Sequence, residues 1–505
     1  MEGDRVIYVT EPGTTGGVGA IGMRVLIQSL RDAGHAVKRV RLFSRAEDAD
    51  TQLDMFGRDT ERVVDSTWLE RPSAWFVSVL YVRQYVELRD MFARIGVAMR
   101  TEDRTASDPL IAFGGQFSIA PEPLAEFADV IALGDGELTG GRIAELLRAG
   151  AGRLDIMREL RGVRGYYVPS AGVARFERWE SDTYRPITVD EDGRNPVVEL
   201  ARGCASKCAF CRIGWAGGTY REAPREQVET RLRGLRGQRV NIFAPDYSSV
   251  SWVEDLESLV SEVSCKNSSR DARADATHRL LSRGAGVKSY SFGIEGTSER
   301  LRRAIGKPLS DERLVETMRM LSESGVNHVK WYMLFSLPSE SKADHEAFRA
   351  CLRRVAEVYR GTLNVAPSPC KSLPHTPFER LSNRYSEHAS DRFAELKAEM
   401  KAAWSDDHKW IAMTYKGREL HEYECVLLRS GRDAASYIER ARASDIPSGR
   451  WRAMLDEGLL DPIPDDAPTA WDHVDAGPPR EVRAKALETY RRTLRRLPMA
   501  EAAAP

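Results

Sequence analysis

The 505-residue chain is predicted to be an α/β protein with an N-terminal doubly wound sheet, a six-strand partial barrel and a mainly helical C-terminal region. Strand and helix patterns alternate over residues 1–150, and the alternation resumes over residues 196–384. Residues 385–505 are highly charged and have helical periodicity. A chain of this length exceeds one ordinary hydrophobic core, so several domains are expected.

The N-terminal region, residues 1–150, contains apolar runs that predict strands and amphipathic runs that predict helices. Strands are expected at residues 5–9, 35–43, 73–82, 110–113 and 130–133, with helices near 23–33 and 85–95. Strands that alternate with helices form parallel sheets, which bind ligands at the carboxyl ends of their strands.

Residues 151–195 are predicted to be a linker with a small strand pair near residues 165–168. The barrel strands that follow are expected to end near Leu200, Phe243, Ala274, Ile294, Phe335 and Pro367. In the C-terminal region, residues 386–404 and 480–497 are predicted to be amphipathic helices.

Composition narrows the class of protein. Lysine and arginine number 74 against 75 acidic residues, a net charge of −1 that gives no signal for nucleic-acid binding. No signal peptide is evident, and the longest apolar run, residues 74–82, is too short to cross a membrane. Four of the seven cysteines (Cys265, Cys351, Cys370 and Cys425) show no pairing pattern, so a reducing, cytoplasmic location is expected.

The other three cysteines, Cys204, Cys208 and Cys211, have the spacing Cys-x3-Cys-x2-Cys. Four thiolates would close a tetrahedral metal site, whereas three leave one iron of a [4Fe-4S] cluster open to a substrate. A zinc site completed by a distant histidine, or free core cysteines, are the alternatives.

This spacing, with the aromatic Phe210 before the last cysteine, resembles the signature of the radical S-adenosylmethionine (SAM) superfamily. The resemblance implies that the open iron binds the amino and carboxylate groups of SAM. It also implies that the reduced cluster cleaves SAM to a 5′-deoxyadenosyl radical, with an electron donor such as flavodoxin or ferredoxin.

Later segments resemble the superfamily in order along the barrel. Residues 241–246 occupy the place of a Gly-Gly-Glu motif, so Asp246 either holds the SAM amino group or caps its strand. Residues 291–303 resemble the fourth-strand segment, which implies that Glu295 faces SAM. Arg303 is expected to pair with the SAM carboxylate, unless it lies on a solvated helix face. Residues 331–340 resemble the turn that supports the adenine, and residues 363–377, with a structural His375, resemble the sixth-strand segment.

Residues 113–124, 129–137 and 472–475 resemble a subgroup whose N-terminal domain is Rossmann-like and of the cobalamin-binding type. Gly114, Gly115 and Gly134 would let the backbone approach a corrin. The Asp-x-His-x-x-Gly motif for a lower ligand is absent, and His35 is not expected to bind cobalt. The alternatives are a domain that has lost the cofactor and, from Gly17 to Gly22, a nicotinamide site.

The sequence therefore predicts a cobalamin-dependent radical SAM enzyme, a methyltransferase acting on an unactivated carbon of a small molecule or peptide. The alternatives are a radical SAM enzyme without cobalamin, performing a rearrangement or oxidation, and a zinc-stabilised interaction protein without enzymatic activity.

Overall fold

The computed structural model describes residues 5–12, 21–42, 60–63, 71–116, 118–169, 174–175, 188–189, 196–260, 264–266, 289–385, 391, 394–395, 411–412 and 417–497. The chain divides into two compact units. The first comprises Met1–Thr183, Ile187–Val197 and Glu422–Ala476, and the second comprises Tyr184–Pro186, Val198–His421 and Gly477–Pro505. The division differs from the predicted one, because the predicted C-terminal region, residues 385–505, contributes to both units.

The first unit is built on a seven-stranded sheet. In spatial order its strands are β3 (Thr60–Val63), β2 (Val37–Leu42), β1 (Ile7–Thr10), β4 (Ala74–Ser78), β5 (Leu110–Gly114), β6 (Val130–Ala132) and β7 (Tyr166–Tyr167). The first six are parallel, and β7 pairs antiparallel with β6. The predicted doubly wound sheet is confirmed. Strands β2 and β3 lie on one side of β1, and β4 and the later strands lie on its other side. The strand order therefore reverses between β1 and β4.

In the described part of the chain, four helices accompany this sheet: α1 (Ile21–Asp32), α2 (Leu88–Ile95), α3 (Gly136–Arg148) and α4 (Arg153–Glu159). Apolar side chains of α1, α3 and α4 share one buried core with the strands. Since Ile156 of α4 belongs to that core and β7 extends the sheet, the first part of the predicted linker is integral to the unit. The short strands β8 (Ala174–Arg175) and β9 (Thr188–Val189) follow.

The second unit has two sheets of parallel barrel strands. One contains β14 (Ser264–Lys266), β13 (Arg239–Phe243) and β10 (Val197–Glu199) in that order, and the other contains β15 (Ser289–Gly293), β16 (His328–Phe335), β17 (Thr362–Pro369) and β18 (Ile411–Ala412). Five of the predicted strand ends lie within two residues of observed ends. The sixth, Ala274, lies outside the described residues. The parallel strand β18 was not predicted, because two residues within a charged stretch show no periodicity.

Helices of the second unit are α5 (Arg212–Trp215), α6 (Arg225–Gly234), α7 (Val253–Val260), α8 (Glu299–Ala304), α9 (Asp311–Glu323), α10 (Lys342–Val358) and α14 (Arg480–Arg496). Between α10 and α14 lie α11 (Arg418–Arg429), α12 (Ala435–Ile438) and α13 (Asp445–Ser448), and β19 (Val474–Asp475) pairs with β8. The helix predicted at 480–497 is confirmed, whereas most of residues 386–404 lies outside the described residues. None of the described helices has the length and apolar character needed to span a bilayer.

One face of β15–β17 packs against α9 and α10. Phe292, Trp331 and Val365 lie in a core with Met318 of α9 and Leu352 of α10, and all five are buried. Because side chains alternate along a strand, the intervening residues face away from these helices.

Candidate functional site

The three cysteines lie in a loop that a short antiparallel ladder closes. Strands β11 (Ala201–Arg202) and β12 (Arg221–Glu222) pair on either side of the loop. Cys208 is buried, and Cys204 and Cys211 are half-buried. The Cys208 carbonyl accepts hydrogen bonds from the Cys211 backbone at 2.9 Å and from the Trp215 indole at 3.1 Å. Both bonds fix the local course of the loop and leave the thiols to other partners.

The electrostatics of Cys204 identify its neighbours. Burial raises the pKa of this thiol, and nearby Cys211 and Asp246 raise it further. A backbone hydrogen bond from Ser206 and the ammonium group of Lys307 lower it. A bound iron would supply the positive charge that favours the thiolate. The donor set, three cysteine sulfurs in one loop, fits an iron–sulfur cluster.

No group of three or more His, Cys, Asp or Glu side chains in the described part of the chain is arranged to hold a metal ion as it stands. In a [4Fe-4S] cluster each cysteine binds its own iron, so the cluster ligands do not converge on one point.

Asp246 follows β13 and has the capping role that was one of its two predicted roles. Its carboxylate accepts hydrogen bonds from the Ser248 backbone at 3.0 Å and the Ser249 hydroxyl at 2.6 Å, which caps the following turn. It also lies close enough to Cys204 to act on the pKa of that thiol. Asp246 is therefore a turn cap beside the cysteine loop.

Glu295 follows β15 in a left-handed conformation, with φ of 49°. The Glu295 carboxylate and the Lys307 ammonium group both lie next to Gly293. A β-carbon at residue 293 would lie 2.5 Å from Glu295 Oε1 and 3.1 Å from Lys307 Nζ. Glycine at this position therefore makes room for both groups. The ammonium group of Lys307 also lowers the pKa of Cys204, so Glu295 and Lys307 both lie near the cysteine loop.

Arg303 lies elsewhere on α8. Its guanidinium pairs with Glu299 at 3.0 Å, and about half of its side chain is exposed (49%). This is the solvated helix face that was the alternative for Arg303. Lys307 is a cation that acts on the pKa of Cys204, and sequence reasoning missed it. A lone lysine after Gly306 carries no pattern that separates it from other surface lysines.

The turn after β16 is held by a buried carboxyl group. Glu340 accepts hydrogen bonds from the Thr297 hydroxyl at 2.5 Å and the Leu337 backbone at 3.1 Å. Burial raises the pKa of Glu340 to about 7. Through Thr297, this carboxyl group ties the turn after β16 to the segment that follows β15.

The loop over the end of β17 is anchored in a similar way. His375 is buried, with φ of 60°, and its backbone donates to Glu379 at 2.9 Å. Glu379 in turn pairs with Arg483 of α14 at 2.9 Å. These contacts agree with a structural role for His375.

In the first unit, the three predicted glycines lie at the carboxyl edge of the sheet. Gly115 has φ of 113°, and a β-carbon there would lie 2.2 Å from the Val79 carbonyl oxygen. Gly134, which follows β6, has φ of 112°, and Gly114 is the last residue of β5. The close backbone contact with Val79 alone accounts for glycine at 115.

The carboxyl ends of β1 and β4 form the point where the strand order reverses, which is where open α/β sheets bind ligands. Gln84 joins the two loops there: its side chain accepts from the backbones of Leu80 and Tyr81, at 2.7 and 2.9 Å, and donates to the Pro12 carbonyl at 3.0 Å. Tyr81 is 48% exposed, with the Arg83 guanidinium 4.6 Å from its ring centroid. An exposed aromatic ring at a reversal point fits a flat ligand such as a corrin.

His35 lies at the other edge of the sheet, just before β2 begins. Its ring contacts Arg148 at 2.9 Å and Glu145 at 3.3 Å. Burial lowers its pKa, Arg148 lowers it further, and Glu145 opposes both. Most of the Gly17–Gly22 motif lies outside the described residues; its last residue belongs to α1.

Comparisons with known proteins agree with this geometry. The family model "Radical SAM proteins, N-terminal" matches residues 22–169, and "Radical SAM superfamily" matches residues 198–351. An uncharacterized protein of Methanocaldococcus jannaschii is 24% identical over 351 residues, which cover 67% of this chain and 74% of that protein. The ribosomal protein uS12 methylthiotransferase RimO of Syntrophobacter fumaroxidans is 26% identical over 201 residues, 35% of this chain and 44% of that protein.

Among solved structures, the cobalamin-dependent SAM radical enzyme OxsB, with aqua-cobalamin and SAM bound, aligns with a TM-score of 0.50 at 14% identity. The alignment covers 97% of this chain and 80% of that chain. Against the cofactor-free OxsB structure the TM-score is also 0.50, and the chain spans 57% of the length of that chain. At this identity the likeness shows a shared fold. With its cysteine loop at the start of a parallel barrel and both family models matched in order, the chain belongs to the radical SAM superfamily.

Proposed function

We propose that the chain is a cobalamin-dependent radical SAM methyltransferase that acts on an unactivated carbon of a small molecule or peptide. The observation that carries the proposal is the pairing of two sites on one chain. One is the three-cysteine loop beside Asp246, Glu295 and Lys307, and the other is the strand-reversal point with its exposed Tyr81. The zinc-stabilised interaction protein is set aside, because the chain is a radical SAM enzyme.

At the first site, Cys204, Cys208 and Cys211 would hold a [4Fe-4S] cluster, which when bound supplies the electron that cleaves SAM. The amino-acid part of SAM carries one ammonium and one carboxylate group. Glu295 and Asp246 offer carboxylates for the ammonium group, and Lys307 offers an ammonium group for the carboxylate. The site thus presents charges of both signs beside the cysteine loop.

At the second site, the carboxyl edge of the first sheet would hold cobalamin, which when bound supplies methyl-transfer chemistry. Tyr81 offers an aromatic surface, and Gly134 offers a turn without a side chain. No histidine in the described part of the first sheet lies at this edge, since His35 is at the opposite one. This supports binding without a histidine ligand on the lower face.

A radical SAM enzyme without cobalamin is the second candidate. It is favoured by one observation, that the contact between Gly115 and the Val79 carbonyl explains this glycine without any cofactor.

Anaerobic purification from cells supplied with cobalamin, followed by iron, sulfide and cobalt analysis, separates these candidates. We expect about four irons, four sulfides and one cobalt per chain, because one [4Fe-4S] cluster and one cobalamin contain these numbers of atoms. Replacing Cys204, Cys208 and Cys211 together with Ala should remove iron and brown colour while cobalt remains. If the folded protein contains the cluster but no cobalt, the second candidate, a radical SAM enzyme without cobalamin, is correct. If the triple variant still contains stoichiometric iron, the assignment of these cysteines as cluster ligands is wrong.

A further inference from the structure

The face of β15–β17 that is turned away from α9 and α10 is polar. We call this surface the open face and define it by Ser291, Gly293, Lys330, Tyr332, Asn364 and Ala366. None of the six residues that define the open face is acidic: their side chains are hydroxyls, an amide, an ammonium group and small groups. Its composition is that of a binding surface for a polar molecule rather than of a core.

Three of these residues form one row across the sheet. In the parallel register, Ser291 of β15 lies beside Lys330 of β16, and Lys330 lies beside Asn364 of β17. The next row, toward the carboxyl ends of the strands, is Gly293, Tyr332 and Ala366. Tyr332 is 39% exposed and has a small residue on either side in this row, and the side-chain ends of Glu295 and Lys307 lie over Gly293.

The Lys330 ammonium group makes no ion pair with any other residue that the structure describes. Its Nζ lies 4.5 Å from the Tyr332 ring centroid, so the side chain runs toward the row that contains Tyr332. A half-buried ammonium group without a counter-ion favours an anionic ligand.

Asn364 adds a second requirement. Its Oδ1 atom is buried and accepts no hydrogen bond within the described part of the chain. A buried amide oxygen without a donor is unfavourable, so a ligand that brings an N–H or O–H group satisfies it. A ligand that meets both Lys330 and Asn364 therefore carries an anion with a donor group beside it.

The row lies close to the cysteine site. Gly293, one row above, is where the Glu295 and Lys307 side-chain ends meet, and Lys307 acts on Cys204. Successive rows on one face of a strand are about 6.6 Å apart. A molecule bound at Lys330 would thus lie beneath the groups assigned to SAM.

We propose that Lys330 and Asn364 bind the substrate through a carboxylate or phosphate group that carries a neighbouring hydroxyl or amine. That the bound anion is the substrate rests on the proposed function. Binding of the anion by Lys330 and Asn364 does not require the cluster. Such a site would bind hydroxy acids, amino acids, peptide carboxyl termini and phosphorylated compounds in preference to neutral or cationic molecules.

The test is the rate at which an amine-acylating reagent modifies Lys330, read by mass spectrometry at constant ionic strength. Acetate, glycolate and inorganic phosphate are the probes, and exposed Lys342 at the start of α10 is the internal control. We expect glycolate to slow modification of Lys330 about tenfold and acetate to do so less, because acetate has no donor for Asn364. Lys342 should react at the same rate throughout. Asn364→Leu should make glycolate and acetate equal.

Stronger protection by phosphate than by either carboxylate would support the site and assign it a phosphorylated substrate. Equal modification rates with and without all three anions would overturn the proposal. So would a loss of SAM affinity in Lys330→Met that is absent in Lys342→Met, since Lys330 would then be a SAM contact. Failure of the protein to bind a cluster would refute the proposed function alone, because protection of Lys330 is measured equally well without one.

Discussion

His473 and Glu122, far apart in the sequence, are in contact within the first unit, with 3.1 Å between His473 Nε2 and Glu122 Oε1. Glu122 comes from the Pro-Glu-Pro segment and His473 from the Asp-His-Val-Asp segment, two motifs that carried the sequence resemblance. Arg432 donates to the same carboxylate at 2.7 Å, and the Tyr167 hydroxyl donates to it as well. One carboxylate therefore joins three separate stretches of chain.

Glu122→Ala should destabilise the protein by about 3 kcal/mol, because it leaves His473, Arg432 and Tyr167 without their shared acceptor. Burial alone would raise the pKa of Glu122, but hydrogen bonds from these three groups lower it to about 2. A lowered pKa stabilises the folded state above the ordinary value of 4.5, and this contribution is lost as pH falls toward 2. Urea unfolding from pH 7 down to pH 3 measures both effects.

The control for this variant is Glu102→Ala, which removes a carboxylate that is 71% exposed. If Glu122→Ala were no less stable than Glu102→Ala, the cluster around Glu122 would contribute nothing to folding.

Lys307→Met should weaken SAM binding about tenfold or more, because a charge-assisted contact to the SAM carboxylate is lost. Arg303→Met, which changes a cation paired with Glu299, is the matched control and should bind SAM as the wild type does. Equilibrium dialysis with the cluster-loaded protein measures both, with iron counts to show that the cluster is intact. The reverse result, a loss only in Arg303→Met, would restore Arg303 to the site. Glu295→Ala should weaken SAM binding in the same assay.

Tyr81→Ala should lower cobalamin affinity about tenfold, because the exposed ring at the strand-reversal point is removed. His35→Ala should leave the affinity and the absorption spectrum of bound cobalamin unchanged, since His35 lies at the other edge of the sheet. Spectrophotometric titration of the purified protein checks both variants. A cobalt-bound histidine nitrogen in the electron paramagnetic resonance spectrum of the cob(II)alamin form would contradict this arrangement.

Glu340→Gln should change how stability depends on pH. Burial raises the pKa of Glu340 to about 7, so the folded state holds this proton more tightly than the unfolded chain does. Stability therefore falls as pH rises from 4.5 toward 7, by at most about 1.4 kcal/mol per pH unit. His345 lies 3.5 Å from the same carboxyl group. Thermal unfolding at pH 5 and pH 7.5 should show a smaller difference for Glu340→Gln than for the wild type.

Most strands of the larger sheets were predictable because their apolar runs are bounded by turn residues, whereas β3 and β18 were not predicted. The run from 73 to 82 shows where this fails: β4 ends at Ser78, and Tyr81 belongs to the loop beyond it. Apolar character alone cannot distinguish a buried strand residue from an aromatic one exposed at the end of a sheet. The sequence pattern therefore predicts Tyr81 as a strand residue, whereas in the structure it lies in the loop.

The cysteine loop was predictable because its ligands are adjacent in sequence, whereas its surroundings are assembled by folding. Lys307 reaches Cys204 only because the segment after α8 passes next to the loop: the Ala209 backbone donates to the Ile305 carbonyl at 2.8 Å. The pairing of Lys330 with Asn364 likewise depends on strand register, which no local pattern of β16 or β17 specifies.

Residues 422–476 complete the first unit after the chain has formed most of the second, so neither unit is a continuous stretch of polypeptide. During synthesis, the first unit remains incomplete until residue 476 has left the ribosome, although its sheet strands emerge first. A single recombination event near residue 197 could not transfer a complete first unit to another protein. The transferred segment would lack residues 422–476, which include Arg432 and His473. The two units are therefore expected to have been inherited together rather than exchanged as modules.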